Sequence, residues 1–103
     1  MDYRYLVVTD HALQQFQQHD PDATLLTLAR ALRDGIDLDE DLARPFRGLI
    51  GKRKTSQVTY YVLAPSRRGM FAVIEEGGKK VVITYLRFGA QQENLAWDFW
   101  PGV

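Results

Sequence analysis

The chain has 103 residues, 46% hydrophobic and 25% charged, with thirteen basic and thirteen acidic side chains and no cysteine. That length suits one domain, 1–103, with a single core. The missing thiols exclude disulfides, zinc–thiolate centres and cysteine nucleophiles, and two histidines are too few for a three-histidine metal site.

Tyr3 to Val8 reads as a short strand. Thr9 or Asp10 then caps a helix, because either side chain can accept the first free backbone N–H groups. The first helix runs from His11 to about His19. Ala12, Phe16 and His19 share a face with Leu13 beside them, and Gln14, Gln15, Gln17 and Gln18 make the solvated side. Asp20 caps a second helix predicted over 21–34, with Pro21 in its first turn and an apolar stripe of Leu25, Leu28, Ala29 and Leu32. Gly35 stops it by taking a left-handed conformation. Asp37, Asp39, Glu40 and Asp41 follow without the ligand spacing of a calcium loop, so they read as a solvated loop or capped turn. Leu38, Leu42, Phe46, Leu49 and Ile50 can pin that stretch to the core.

Three strands are predicted next, over 56–64, 70–75 and 80–88, all dense in β-branched and aromatic residues. Pro65 to Gly69 joins the first two. Gly77-Gly78 is a tight hairpin turn that sets Glu76 opposite Lys79 and Glu75 opposite Lys80. Ala90 to Val103 carries Trp97, Phe99 and Trp100. This aromatic tail either covers part of the second sheet face or an edge, or docks a protein partner. The expected fold is α+β: two N-terminal helices packed on a four-stranded, mainly antiparallel sheet in the order β-α-α-β-β-β.

No apolar run reaches the ~20 residues of a membrane helix and no signal peptide is visible, so no membrane association and a cytoplasmic location are expected. Residues 1–46 hold nine acids and four bases, and residues 47–103 hold nine bases and four acids. A basic sheet end beside an acidic helical half can form a phosphate-binding face; the plainer reading is that loop lysines and arginines serve solubility. A sequence pI near 6.7 argues against strong nonspecific nucleic-acid binding.

Glycine-rich phosphate loops, dinucleotide fingerprints, nucleophile elbows and paired-histidine zinc motifs are all missing. What remains is a metal-independent site, with no cofactor, made from His, Tyr, Thr and basic residues. An imidazole at His11 can move protons near neutral pH. Arg47, Lys54 and Arg87 can neutralise a phosphorane-like transition state. Lys52, Arg53, Arg67 and Arg68 can hold a nucleic-acid backbone, and Tyr61 or Tyr85 can donate a proton or stack on a base. That set would suffice for RNA cleavage through the 2′-hydroxyl. The plainer reading leaves His11 as a capping or packing residue.

The order strand, helix, helix, long loop and three antiparallel strands resembles the RelE/ParE-like toxins of the barnase–EndoU–colicin–RelE group. Within it the chain is similar to a small uncharacterised family of prokaryotes and phages. Thr9-Asp10-His11-Ala12-Leu13-Gln14-Gln15-Phe16 looks like that family's Ser/Thr-x-His-Ala-x-x-Arg-Phe/Met segment, with Gln15 in place of the arginine. Val82-Ile83-Thr84-Tyr85 looks like its last strand. The resemblance covers about residues 3–88. It implies a toxin-like endoribonuclease or RNA-interacting protein, with His11 as acid/base and Thr84 and Tyr85 as site wall, and an antitoxin segment as a partner at an open sheet edge. ParE-like members of the fold act by binding protein instead. The alternative is therefore a phage- or plasmid-type protein that inhibits a host protein, docking through Trp97, Phe99 and Trp100.

Overall fold

The sheet is built outward from its longest pair of strands. In the computed structural model, which describes residues 5–39, 41–46 and 58–97, Gly69–Glu76 forms β4 and Lys79–Arg87 forms β5. Gly77 and Gly78 turn between them with φ of 57° and 79°, the left-handed pair that a primed two-residue turn requires. The register is the predicted one, Glu76 opposite Lys79 and Glu75 opposite Lys80. Lys80 Nζ donates to Glu75 Oε1 at 2.7 Å and to the hydroxyl of Tyr60 at 3.2 Å. The second bond ties in β3, Tyr60–Leu63, which pairs antiparallel with β4.

The sheet has five strands, in the order β1-β5-β4-β3-β2, and it is mixed, which corrects the expected four. β1, Leu6–Val8, lies parallel to β5 at one edge. The hairpin leaves that side of β5 open. Thr9 N–H donates to the Val82 carbonyl at 3.1 Å and its hydroxyl to the Ile83 carbonyl at 3.2 Å, so the chain leaves β1 running alongside β5. The added strand, β2, is Ile36–Leu38, paired antiparallel with β3. It occupies the start of the stretch read as an acidic loop, because Leu38 is fully buried while Asp37 faces solvent. The rest is a capped turn: Asp39 accepts the Leu42 N–H at 2.8 Å, and Asp41 pairs with Arg44 at 2.8 Å.

α1, Asp10–His19, is capped by Thr9, whose Oγ1 accepts the Ala12 N–H at 3.1 Å. α2 is Leu25–Asp34 and begins four residues later than predicted. Thr24 and Thr27 cap each other reciprocally, and this outcompetes Asp20, whose own N–H instead bonds the Phe16 carbonyl at the end of α1. Leu25 is consequently 55% exposed, and the buried stripe narrows to Leu28 and Leu32. Gly35 has a φ of −80°, not a left-handed value. Its role is close approach, since a β-carbon there would run into the Leu63 carbonyl and Val62. The tail contains a third helix, α3, Ala90–Ala96.

Both faces of the sheet are covered. α1 and α2 lay Ala12, Phe16, Leu28 and Leu32 over Val62, Phe71, Val73, Val82 and Tyr85. On the other face Ala96 and Leu95 of α3 join Leu38, Leu63, Met70 and the stacked rings of Phe46 and Phe88, 4.9 Å apart. The start of the tail is thus cover, as the structural reading expected, whereas Phe99 and Trp100 lie outside the described residues. No described helix is long and apolar enough to cross a membrane.

Candidate functional site

A bulge in β5 decides what faces α1. Ala72 pairs with Thr84 but Val73 pairs with Val82, so Ile83 is the extra residue. The bulge turns the strand by one position, and Val82 and Tyr85, three apart, both join the helix-side core. Tyr85 is 3% exposed. Its ring centre lies 4.9 Å from Phe71, 5.1 Å from Phe16 and 6.4 Å from His19. Such tilted aromatic pairs add about 0.5–1.5 kcal/mol each beyond the area they bury.

The Tyr85 hydroxyl lies over Gly69, where any β-carbon would collide with it. It is buried and makes no well-formed hydrogen bond. Burial pushes its pKa up to about 12, against the lesser opposing pull of Ser66, Arg87 and Arg68. Tyr85 therefore stays a neutral phenol within the helix-side core.

The loop between β3 and β4 closes the site from the other side. Arg67 N–H donates to the Ala64 carbonyl at 2.9 Å and Ala64 N–H to the Gly69 carbonyl at 3.0 Å. Arg67 itself adopts a left-handed φ of 61°, and its guanidinium stacks 3.8 Å over the ring of Trp97. Arg68 N–H bonds Ser66 Oγ at 3.3 Å, and the Arg68 carbonyl accepts from Phe88 N–H at 2.8 Å. The loop is thereby fixed to the end of β5 and to the residue that follows α3.

Between this loop and the helices is an open cleft of about 550 Å³. α1 and its end supply Phe16, His19 and Asp20, α2 supplies Thr27 and Ala31, and the loop supplies Ala64, Pro65, Ser66 and Arg68. Behind Phe16 and His19 packs the ring of Tyr85. The arrangement sets an imidazole, a hydroxyl and a guanidinium around a partly apolar hollow.

Of the residues predicted for a site, Arg68 lines the cleft; Tyr85 packs against Phe16 and His19 of its lining, and Arg67 and Trp97 stack on each other at the same loop. His11 does not line the cleft. It is exposed at the opposite end of α1, about 12 Å from His19 along the helix axis. Thr84 is half-buried beside the bulge and pairs with Ala72, which faces the α3 side of the sheet. Tyr61 faces the other side of the sheet. Arg47, Lys52, Arg53 and Lys54 lie outside the described residues. The residue that sequence reasoning missed is His19. Its signal was its place at the end of the buried Ala12–Phe16 face, where a polar ring must meet something other than core. Among the described residues no three His, Asp or Glu side chains gather as metal ligands would. No protein-family model, curated protein or solved structure matches this chain.

Proposed function

We propose that this protein is a toxin-like endoribonuclease of the RelE-like kind, working in the cleft between α1, α2 and the β3–β4 loop. The observation that carries the reading is His19 and Arg68 on the walls of one cleft. In RNA cleavage of this class a base takes the proton of the 2′-hydroxyl, the 2′-oxygen attacks phosphorus, and the 5′-oxygen leaves with a proton. The products are a 2′,3′-cyclic phosphate and a 5′-hydroxyl. His19 takes the role first given to His11, because an imidazole can both accept and return a proton near neutral pH. Arg68 and Arg87 neutralise the charge that builds on the phosphoryl oxygens, which bidentate guanidinium groups suit. Pro65 and Phe16 offer apolar surface to a base, and Tyr85 holds the His19 ring from beneath.

The test is induced expression in a bacterial host, wild type beside His19→Ala, with growth and total RNA integrity followed together. Arrest with fragmented RNA in the wild type alone supports the reading. Arrest by both forms with intact RNA contradicts it and favours the second reading, capture of a host protein. That second reading draws on the neighbouring Leu25 and Leu26, 55% and 59% exposed on α2, and on a tail whose Trp97 is 54% exposed.

A further inference from the structure

The cleft carries one negative and one positive side chain that do not neutralise each other. Asp20 stands at the end of α1 and Arg68 on the loop; both line the cleft, and among the described residues neither side chain makes an ion pair. The Asp20 backbone is committed to the end of α1, donating to Phe16 and accepting from Ala23, which fixes this residue's place in the cleft lining. A carboxylate only accepts hydrogen bonds and a guanidinium only donates them. A ligand that satisfies both must present donors at one end and an anion at the other. A bare phosphate fails at Asp20, and a cation fails at Arg68. At about 550 Å³ the hollow falls in the usual range for a small-molecule site. Phe16, Ala31 and Pro65 give it apolar surface for a flat ring.

We infer that the cleft takes a nucleotide whose base carries an exocyclic amine, with its phosphate on Arg68 and the amine on Asp20. This rests on the RNA reading above and adds base choice to it. Cytosine offers an amino group where uracil offers a carbonyl, which a carboxylate repels; guanine has the 2-amino group that hypoxanthine lacks. Thr27 adds no preference, because its hydroxyl is already bonded to Thr24 in the helix cap.

The experiment is calorimetric titration of the full chain with cytidine, uridine, guanosine and inosine monophosphates, in the wild type, Asp20→Asn and Arg68→Ala. The expected result is roughly tenfold tighter binding of each amino-bearing base over its partner, the scale of one well-placed base contact. Asp20→Asn, whose amide can donate as well as accept, removes that preference without weakening uridine monophosphate, and Arg68→Ala weakens all four alike. Equal affinities within both pairs, or an unchanged preference in Asp20→Asn, overturn the assignment of Asp20. If binding is then still lost in Arg68→Ala, the RNA reading survives without base choice. Binding of none of the four overturns the base assignment, and cleavage of a mixed-sequence RNA by the same preparation then decides separately whether the RNA reading stands.

Discussion

Tyr85 and Gly69 show how single residues set the site. Tyr85→Phe removes a hydroxyl that makes no well-formed hydrogen bond, so at neutral pH it is expected to change stability by less than about 1 kcal/mol. Its effect appears in alkali. Burial raises the folded-state pKa from 10.0 to about 12, so above pH 10 the unfolded chain loses this proton while the folded chain keeps it. Stability is thus unaffected below pH 10 and falls as pH rises toward 12, by roughly 2 kcal/mol. Denaturant titrations across that window should show a smaller fall in Tyr85→Phe than in the wild type. Tyr60, also raised by burial, is present in both and cancels. Gly69→Ala forces a methyl group against the Tyr85 hydroxyl and the Leu86 carbonyl, and neither can retreat from a packed sheet. A loss of about 2–4 kcal/mol in chemical denaturation is expected, the range for overpacking that also shifts backbone.

Among the elements, the β3–β4 loop and α3 act as one unit. Arg67 takes a left-handed φ of 61° and stacks 3.8 Å from Trp97, so the cost of that backbone conformation, about 1–2 kcal/mol, is partly offset by the cation–π contact. A double-mutant cycle of Arg67→Ala and Trp97→Ala should give a coupling of about 0.5–1 kcal/mol. Additive losses would mean the stack contributes nothing to holding Ser66 and Arg68 in place. This scale also separates what sequence can carry from what it cannot. The β4–β5 hairpin was legible because alternation, a Gly-Gly turn and two facing charge pairs all agreed on one register. β1 and β2 are three residues each, too short to display a period, and strand direction is not written in composition at all. The start of α2 was misplaced because Asp20 and Thr24 are both good caps, and only the reciprocal partner at Thr27 separates them.

For the whole molecule, the site is a product of topology. The first helix start and the last strand do lie side by side, through Thr9 on Val82 and Ile83. The family resemblance gives the acid/base role to His11 at that helix start. The bulge at Ile83 and the returning loop instead build a cleft at the other end of α1, around His19. No local pattern announces this, because the loop approaches α1 from more than forty residues away in the chain. Arg68 is legible as a cleft residue because a basic loop between two strands is a local feature.

On the proposed function, the cleft with His19, and not the helix start with His11, carries the RNA chemistry. The most direct measurement is cleavage of a defined single-stranded RNA by purified wild type, His19→Ala and His11→Ala, with fold checked by circular dichroism and product ends identified. Cyclic-phosphate products are expected from the wild type and from His11→Ala, with a loss of at least about a hundredfold in folded His19→Ala, the usual size of a general acid–base contribution. Undiminished cleavage by folded His19→Ala, or loss confined to His11→Ala, would contradict it.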